Sequence, residues 1–234
     1  MSPSPSTTVR DSTQLNGVIA SGTQLVISYI GGACDVSARG SAAESAASII
    51  VQIHVTDSGG VCPAVGYLRS VTVHLSSPWN QRRIVDDTGA AVPTVDGTLL
   101  LQPGWLPAGY AVDLVSAGQS SDGSDNAVAV TDYAVPTPSA SPSGQAHCQP
   151  GPGDVQLEQG YGITPGYPPL AGAYALADGT RVTVDSDDQG LVGLYWTPPH
   201  RPAGWSVGMQ ASTRCQGDVP VPLATLMQIA NGLH

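Results

Sequence analysis

Apolar residues in this chain come in short alternating runs cut by glycine and proline, a pattern that favours sheets and leaves little room for helices. Ile49, Val51, Ile53 and Val55 take every second position of one run, which puts all four on one face of an extended strand. Val71, Val73 and Leu75 repeat the pattern, and residues 25–30 give an earlier strand that stops at Gly31-Gly32. Residues 82–86 add a short edge strand, and further strands are expected over 111–115, 127–133 and 205–210. The runs at 181–185 and 191–196 flank an Asp-rich turn and read as a β-hairpin. One helix is expected, at the end of the chain. Leu223, Leu226, Met227 and Ala230 fall at i, i+3, i+4 and i+7, with Pro222 at its start and Gly232 at its stop.

The fold class that follows is mostly β, of the α+β type. It comprises two antiparallel-sheet modules stapled by disulfides, with the C-terminal helix packed on the second sheet. Residues 1–15, rich in Ser, Pro and Thr, are expected as a flexible tether. Residues 16–97 form the first module, a single antiparallel sheet. Residues 98–234 form the second, with the helix over 222–232.

Charge excludes several partners. Only 11% of the 234 residues are charged, less than half the usual share, and the net charge is −10. All eight cations are arginines, with no basic run beyond Arg82-Arg83. A polyanion is repelled by such a surface, so nucleic acid is not an expected partner. Anionic lipid headgroups are disfavoured for the same reason, and no apolar run is long enough to span a bilayer. A membrane is expected only through a lipid anchor. The opening tract, residues 2–8, resembles the tether that follows the lipidated cysteine of a bacterial lipoprotein, with Met1 in place of that cysteine; a plain flexible start is the alternative.

Cys34, Cys62, Cys148 and Cys215 form an even set with wide spacings and no CxxC pair, which disfavours a zinc ribbon or a redox dithiol. Three disulfide connectivities are open. Cys34–Cys62 with Cys148–Cys215 is favoured because each bond then staples one module; four reduced thiols are the alternative. Oxidised cysteines in a Gly- and Ser-rich chain point outside the cytoplasm.

Two stretches carry a resemblance. Residues 103–110, Pro-Gly-Trp-Leu-Pro-Ala-Gly-Tyr, resemble the LPxGY opening of extracytoplasmic domains in Gram-positive envelope proteins. Leu194-Tyr195-Trp196 and the run from Leu223 to Leu233 are similar to the closing strand and helix of those domains. The acidic pair usual in that helix is replaced by Ala224-Thr225. The first module, around Gly32-Ala33-Cys34-Asp35 and Gly60-Val61-Cys62-Pro63, is similar to the N-terminal halves of exported actinobacterial proteins. Some relatives resemble the C-terminal module of periplasmic sigma-factor regulators. The resemblance implies that the Pro- and Ser-rich stretch 135–153, which alone reads as a linker, is a long loop inside the second module, pinned by Cys148–Cys215.

Chemical motifs are weaker. Gly204-Trp205-Ser206-Val207-Gly208 matches G-x-S-x-G, but the nucleophile elbow needs a strand, a sharp turn and a helix, and this motif lies inside a strand run. Its partners would be Asp218 and His234, the last residue. Asp185, Asp187, Gln189 and Gly190 echo a calcium loop, yet the bidentate position falls on Trp196. His54 and His74 read as single exposed histidines. No catalytic residue, metal or cofactor is assigned. Tyr161, Tyr167 and Tyr174, set among Gly and Pro, are candidate ligand-contact aromatics. The expected function is a non-enzymatic, envelope-associated binding or accessory module that contacts an envelope protein or a cell-wall component. A lipoprotein sensing envelope state for a sigma/anti-sigma pair is the alternative, and a secreted serine hydrolase the remote one. The sequence leaves oligomeric state open.

Overall fold

The structure is a computed structural model that describes residues 14–58, 63–119, 126–136, 152–213 and 218–234, together with the backbone of 8–12. It is mostly β, with fifteen strands and one α-helix among the described residues. Two compact units divide the chain. The first runs to Thr98 and includes residues 116–119 and 127–129; the second takes Leu99–Val115 and Val130 onward.

In the first unit lie β1 (Thr8–Ser12), β2 (Leu15–Ser21), β3 (Gln24–Gly32), β4 (Asp35–Glu44), β5 (Ser48–Asp57), β6 (Gly66–His74), β7 (Arg83–Val85) and β8 (Thr94–Asp96). They make two four-stranded sheets. One has the order β1-β5-β4, with β7 added parallel to β5; the other has the order β6-β3-β2-β8. The single sheet expected here is therefore corrected to two. The alternation of β5 explains why. Ile49, Val51, Ile53 and Val55 are all essentially buried, and they meet Val18, Leu25, Ile27 and Val73 of the other sheet in one core. A lone sheet would leave that face in water, whereas two sheets face to face bury both. Each fully buried Ile or Leu contributes about 1.5–3 kcal/mol. The link between β5 and β6 consequently changes sheet and is not a hairpin. Thr8–Ser12 pair with β5, so the tether expected over 1–15 is also corrected for those five residues.

Residues 116–119 pack tightly within this unit. Ser28, fully buried, accepts the Ala117 N–H at 2.8 Å, and Asn16 donates to the Ala117 carbonyl at 2.8 Å. Gly17 lies so close that a methyl group there would come within 2.6 Å of the Ala117 carbonyl carbon.

The second unit contains most of β9 (Ala111–Gln119) and β10 (Ala127–Ala134), with β11 (Asp154–Tyr161), β12 (Tyr174–Ala175), β13 (Arg181–Ser186), β14 (Val192–Trp196), β15 (Trp205–Ser212) and α1 (Leu223–Asn231). The sheet order is β12-β13-β14-β15-β11-β10-β9, so residues 135–153 connect neighbouring strands. The β13–β14 hairpin and the helix lie where periodicity places them. Leu226, Ile229 and Ala230 of α1 are buried against Val184, Leu194, Val207 and Met209 of the sheet.

Short Asp-x-Thr turns close several loops. Asp86, Asp96 and Asp178 each accept the backbone N–H and the hydroxyl of the Thr two residues on, at 2.7–2.9 Å. Side-chain oxygens thus satisfy turn amides that no strand could reach.

Residues 99–104 run beside the end of the chain, with Gln102 and His234 exchanging backbone hydrogen bonds in both directions. The buried Gln159 of β11 holds this segment. Its Oε1 accepts the Leu101 N–H at 2.6 Å, and its Nε2 donates to the Leu101 carbonyl at 2.9 Å. Gln159→Leu should therefore lower unfolding free energy by about 2–4 kcal/mol, because two buried backbone groups lose their partners. Urea unfolding followed by tryptophan fluorescence measures this; a loss below about 0.5 kcal/mol would show that the amide pair is dispensable.

Candidate functional site

The polar face of the second sheet is covered by its own chain. Asp185, 1% exposed, accepts the Tyr167 N–H at 3.0 Å, and Leu170 donates to the Val184 carbonyl. Ser206 of β15 donates to the Ile163 carbonyl at 3.3 Å and, more weakly, to that of Gly160 at 3.5 Å. The Tyr195 ring lies over Gly193 and Gly208, positions where a methyl group would come within 2.8–3.2 Å of it. Burial, with Asp185 beside it, pushes the Tyr195 phenol up to about 12, so it stays protonated at neutral pH. Burial and then the Asp132 charge raise the Glu158 carboxyl above its ordinary value.

This arrangement accounts for the sequence motifs. Ser206 sits inside β15, not on a strand-to-helix turn, and its hydroxyl is spent on backbone carbonyls. Asp187 accepts the Gln189 and Leu191 N–H groups at 2.8 Å each and, with Gly190 at φ +81°, closes the hairpin. Asp185 faces the 162–170 loop. No cluster of three or more metal-ligating side chains exists among the described residues. His54 lies 3.4 Å from the Ser41 hydroxyl, and His74 pairs with Gln24 in the other sheet of its unit.

The three candidate tyrosines have different surroundings. Tyr161 meets Trp205 edge-on, with ring centroids 5.3 Å apart. Tyr174 belongs to β12 and packs against the core, while Tyr167 is 49% exposed. They contribute one exposed ring rather than a shared aromatic platform. Tyr110, which closes the Pro-Ala-Gly-Tyr turn with Gly109 at φ +89°, donates its hydroxyl to the Gly153 carbonyl. The LPxGY-like stretch is in this way a structural anchor. Of the cysteines, Cys34 lies in the turn between β3 and β4; Cys62, Cys148 and Cys215 are outside the described residues.

A cleft of about 350 Å³ opens within the second unit, beside the C-terminal end of α1. Trp196, Pro198, Pro199, Leu101 and Leu176 supply apolar walls, and Arg201, Asp178 and Asn231 supply polar groups. The volume lies in the range of small-molecule sites. Arg201 stands on the β14–β15 connection, where three prolines, His200 at φ +64° and Gly204 at φ +82° fix the backbone path. Its Nε is buried and has no hydrogen-bond partner among the described residues. An unpaired buried donor of this kind costs about 1–3 kcal/mol, more for a charged group. Asn231 accepts the Ala177 N–H through Oδ1 at 2.6 Å, leaving its NH2 to donate. The Thr180 backbone N–H and hydroxyl hold the Asp178 carboxyl below its ordinary range, so it is ionised at neutral pH. The lining carries no hydroxyl, thiol or imidazole. It can bind and orient an anion, but these side chains offer no nucleophile paired with a base. Sequence reasoning passed over Arg201. A lone arginine inside Pro-Pro-His-Arg-Pro was the available signal, since binding residues are found disproportionately on loops positioned by a rigid scaffold.

A second depression, in the first unit, is a structural knot. The Arg82 guanidinium donates to the carbonyls of Ser45, Ser77, Pro78 and Trp79 and meets Glu44 at 3.0 Å. Each of its three nitrogens is thereby engaged.

Comparison with known protein families, with curated proteins and with solved structures finds no match for this chain.

The knot has a pH signature. The Ser76 N–H, then the hydroxyls of Ser76 and Ser77 and Arg82, pull the Glu44 carboxyl from 4.5 to about 2. A depressed folded-state value stabilises the fold above the unfolded value, and that contribution disappears as pH falls between them. The melting temperature should fall on acidification from pH 4.5 to about 2, and Glu44→Gln should flatten that part of the profile. An unchanged slope in the variant would remove Glu44 from the acid response.

Proposed function

We propose that this chain is a non-enzymatic, envelope-associated binding or accessory module that acts outside the cytoplasmic membrane on a cell-wall component or an envelope protein. The observation that carries the reading is the cleft beside α1, where Arg201, whose Nε–H has no partner among the described residues, stands among Trp and Pro walls. The charge-poor, lysine-free composition supports placement in the envelope, and the Ser- and Pro-rich composition of residues 2–8 supports a tether. Purified protein should pellet with isolated peptidoglycan or wall polysaccharide and be released by soluble fragments. In the native envelope, carboxylate-directed or photo-crosslinking suits a chain without lysine side chains. Recovery of wall fragments or of an envelope protein supports the reading. A single membrane partner bearing a cytoplasmic anti-sigma region would replace it with the regulatory one.

Two disulfides, Cys34–Cys62 and Cys148–Cys215, belong to the same proposal. Backbone proximity supports each. The Ser58 N–H donates to the Cys34 carbonyl at 3.1 Å, four residues before Cys62. Gly153 donates to the Val219 carbonyl at 2.8 Å and Asp154 pairs with Ser212, so the chain five to six residues after Cys148 runs beside residues that bracket Cys215. In the chain-entropy account each closure stabilises by about 3–4 kcal/mol. A non-reducing peptide map should recover these two pairs; Cys34 joined to Cys148 or Cys215 would refute the pairing.

A further inference from the structure

We propose that the cleft beside α1 is a carboxylate site, in which the Arg201 guanidinium takes the anionic group of a compact ligand whose ring or apolar body lies along Trp196 and the two prolines. The source of that ligand rests on the binding-module reading above. Three features of the cleft carry the inference. The Arg201 Nε–H has no hydrogen-bond partner among the described residues, while every guanidinium nitrogen of Arg82 is engaged by a carbonyl or by Glu44. A planar guanidinium offers paired donors that match the two oxygens of a carboxylate. The loop that presents Arg201 is set by prolines and two left-handed residues, so little ordering is required on binding.

Charge selects the anion. Asp178 is ionised at the rim, and the chain carries −10 overall. A dianionic phosphate would meet more repulsion than a monoanion, and one guanidinium does not offset two charges. The Asn231 NH2 is directed by the Ala177 bond and can donate to a ligand oxygen, while Asp178 can accept from a hydroxyl or amide N–H. A carboxylate on a pyranose ring and the C-terminal carboxylate of a short peptide share this chemistry, and the cleft volume suits either.

The test is titration calorimetry on the full chain with four probes. Glucuronate is compared with glucose, and N-acetyl-alanyl-alanine with its C-terminal amide. One acid should bind and its neutral counterpart should not, and the acid that binds identifies the source. Arg201→Gln should weaken binding about 30-fold or more, with Arg201→Lys intermediate because the charge remains and the paired geometry is lost. Equal binding of acid and neutral forms, or an unchanged Arg201→Gln variant with wild-type melting temperature, overturns the inference. Wall pelleting run in parallel separates it from the functional reading. Pelleting that survives Arg201→Gln sinks the carboxylate site alone. Acid binding through Arg201 without pelleting sinks the wall reading alone. No binding in either assay sinks both.

Discussion

A single buried amide ties the segment around Leu101 to the core of the second unit. Gln159 points into a core otherwise made of Val155, Leu157, Leu194 and Met209, where an unpaired amide would be expensive. It is tolerated because both of its ends are used on Leu101, whose backbone would otherwise be orphaned at the edge of that core. The consequence reaches further than one residue. Leu101 forms part of the cleft wall, and the neighbouring Gln102 pairs with His234, so the amide holds the segment that lines the cleft and pairs with the residues after α1. Packing, the cleft and the C-terminus share one polar contact.

The two units solve the same problem differently. Alternating strands have one apolar face, and that face needs a cover. In the first unit the cover is another sheet. In the second it is α1 on one side, while the polar side is overlaid by the 162–170 segment through Asp185 and Ser206. Buried polar groups on that side, Asp185 and Tyr195 among them, are structural partners of a loop. The raised Tyr195 phenol follows first from this burial.

Much of the secondary structure was legible because β5, the β13–β14 hairpin and α1 carry clean periods of two or 3.6. β4 was not, since Asp35–Glu44 is built of Ser, Ala and Gly and owes its extended form to pairing with β5. The division of the first unit into two sheets was equally hidden. Alternation says which face is buried but not what buries it. Tyr161 and Tyr174 looked available because Gly and Pro surround them in sequence, yet both are engaged by residues far along the chain. Arg201 was missed for the opposite reason. What sets it apart is an Nε–H with no hydrogen-bond partner among the described residues, and sequence cannot display an absent contact.

The Asp-x-Thr turns have a consequence for chemical ageing. Two of them contain Asp-Gly, at Asp96-Gly97 and Asp178-Gly179, the dipeptide at which an unhindered chain most readily cyclises to a succinimide and rearranges to isoaspartate. That reaction needs the side-chain carboxyl to swing onto the nitrogen of the following glycine, and it is favoured when the acid is protonated. Here each carboxylate is tied to the amide and hydroxyl two residues on, and at Asp178 the same bonds keep it ionised. The turns that shape the loops also hold these two Asp-Gly carboxyls away from the nitrogen they would have to attack.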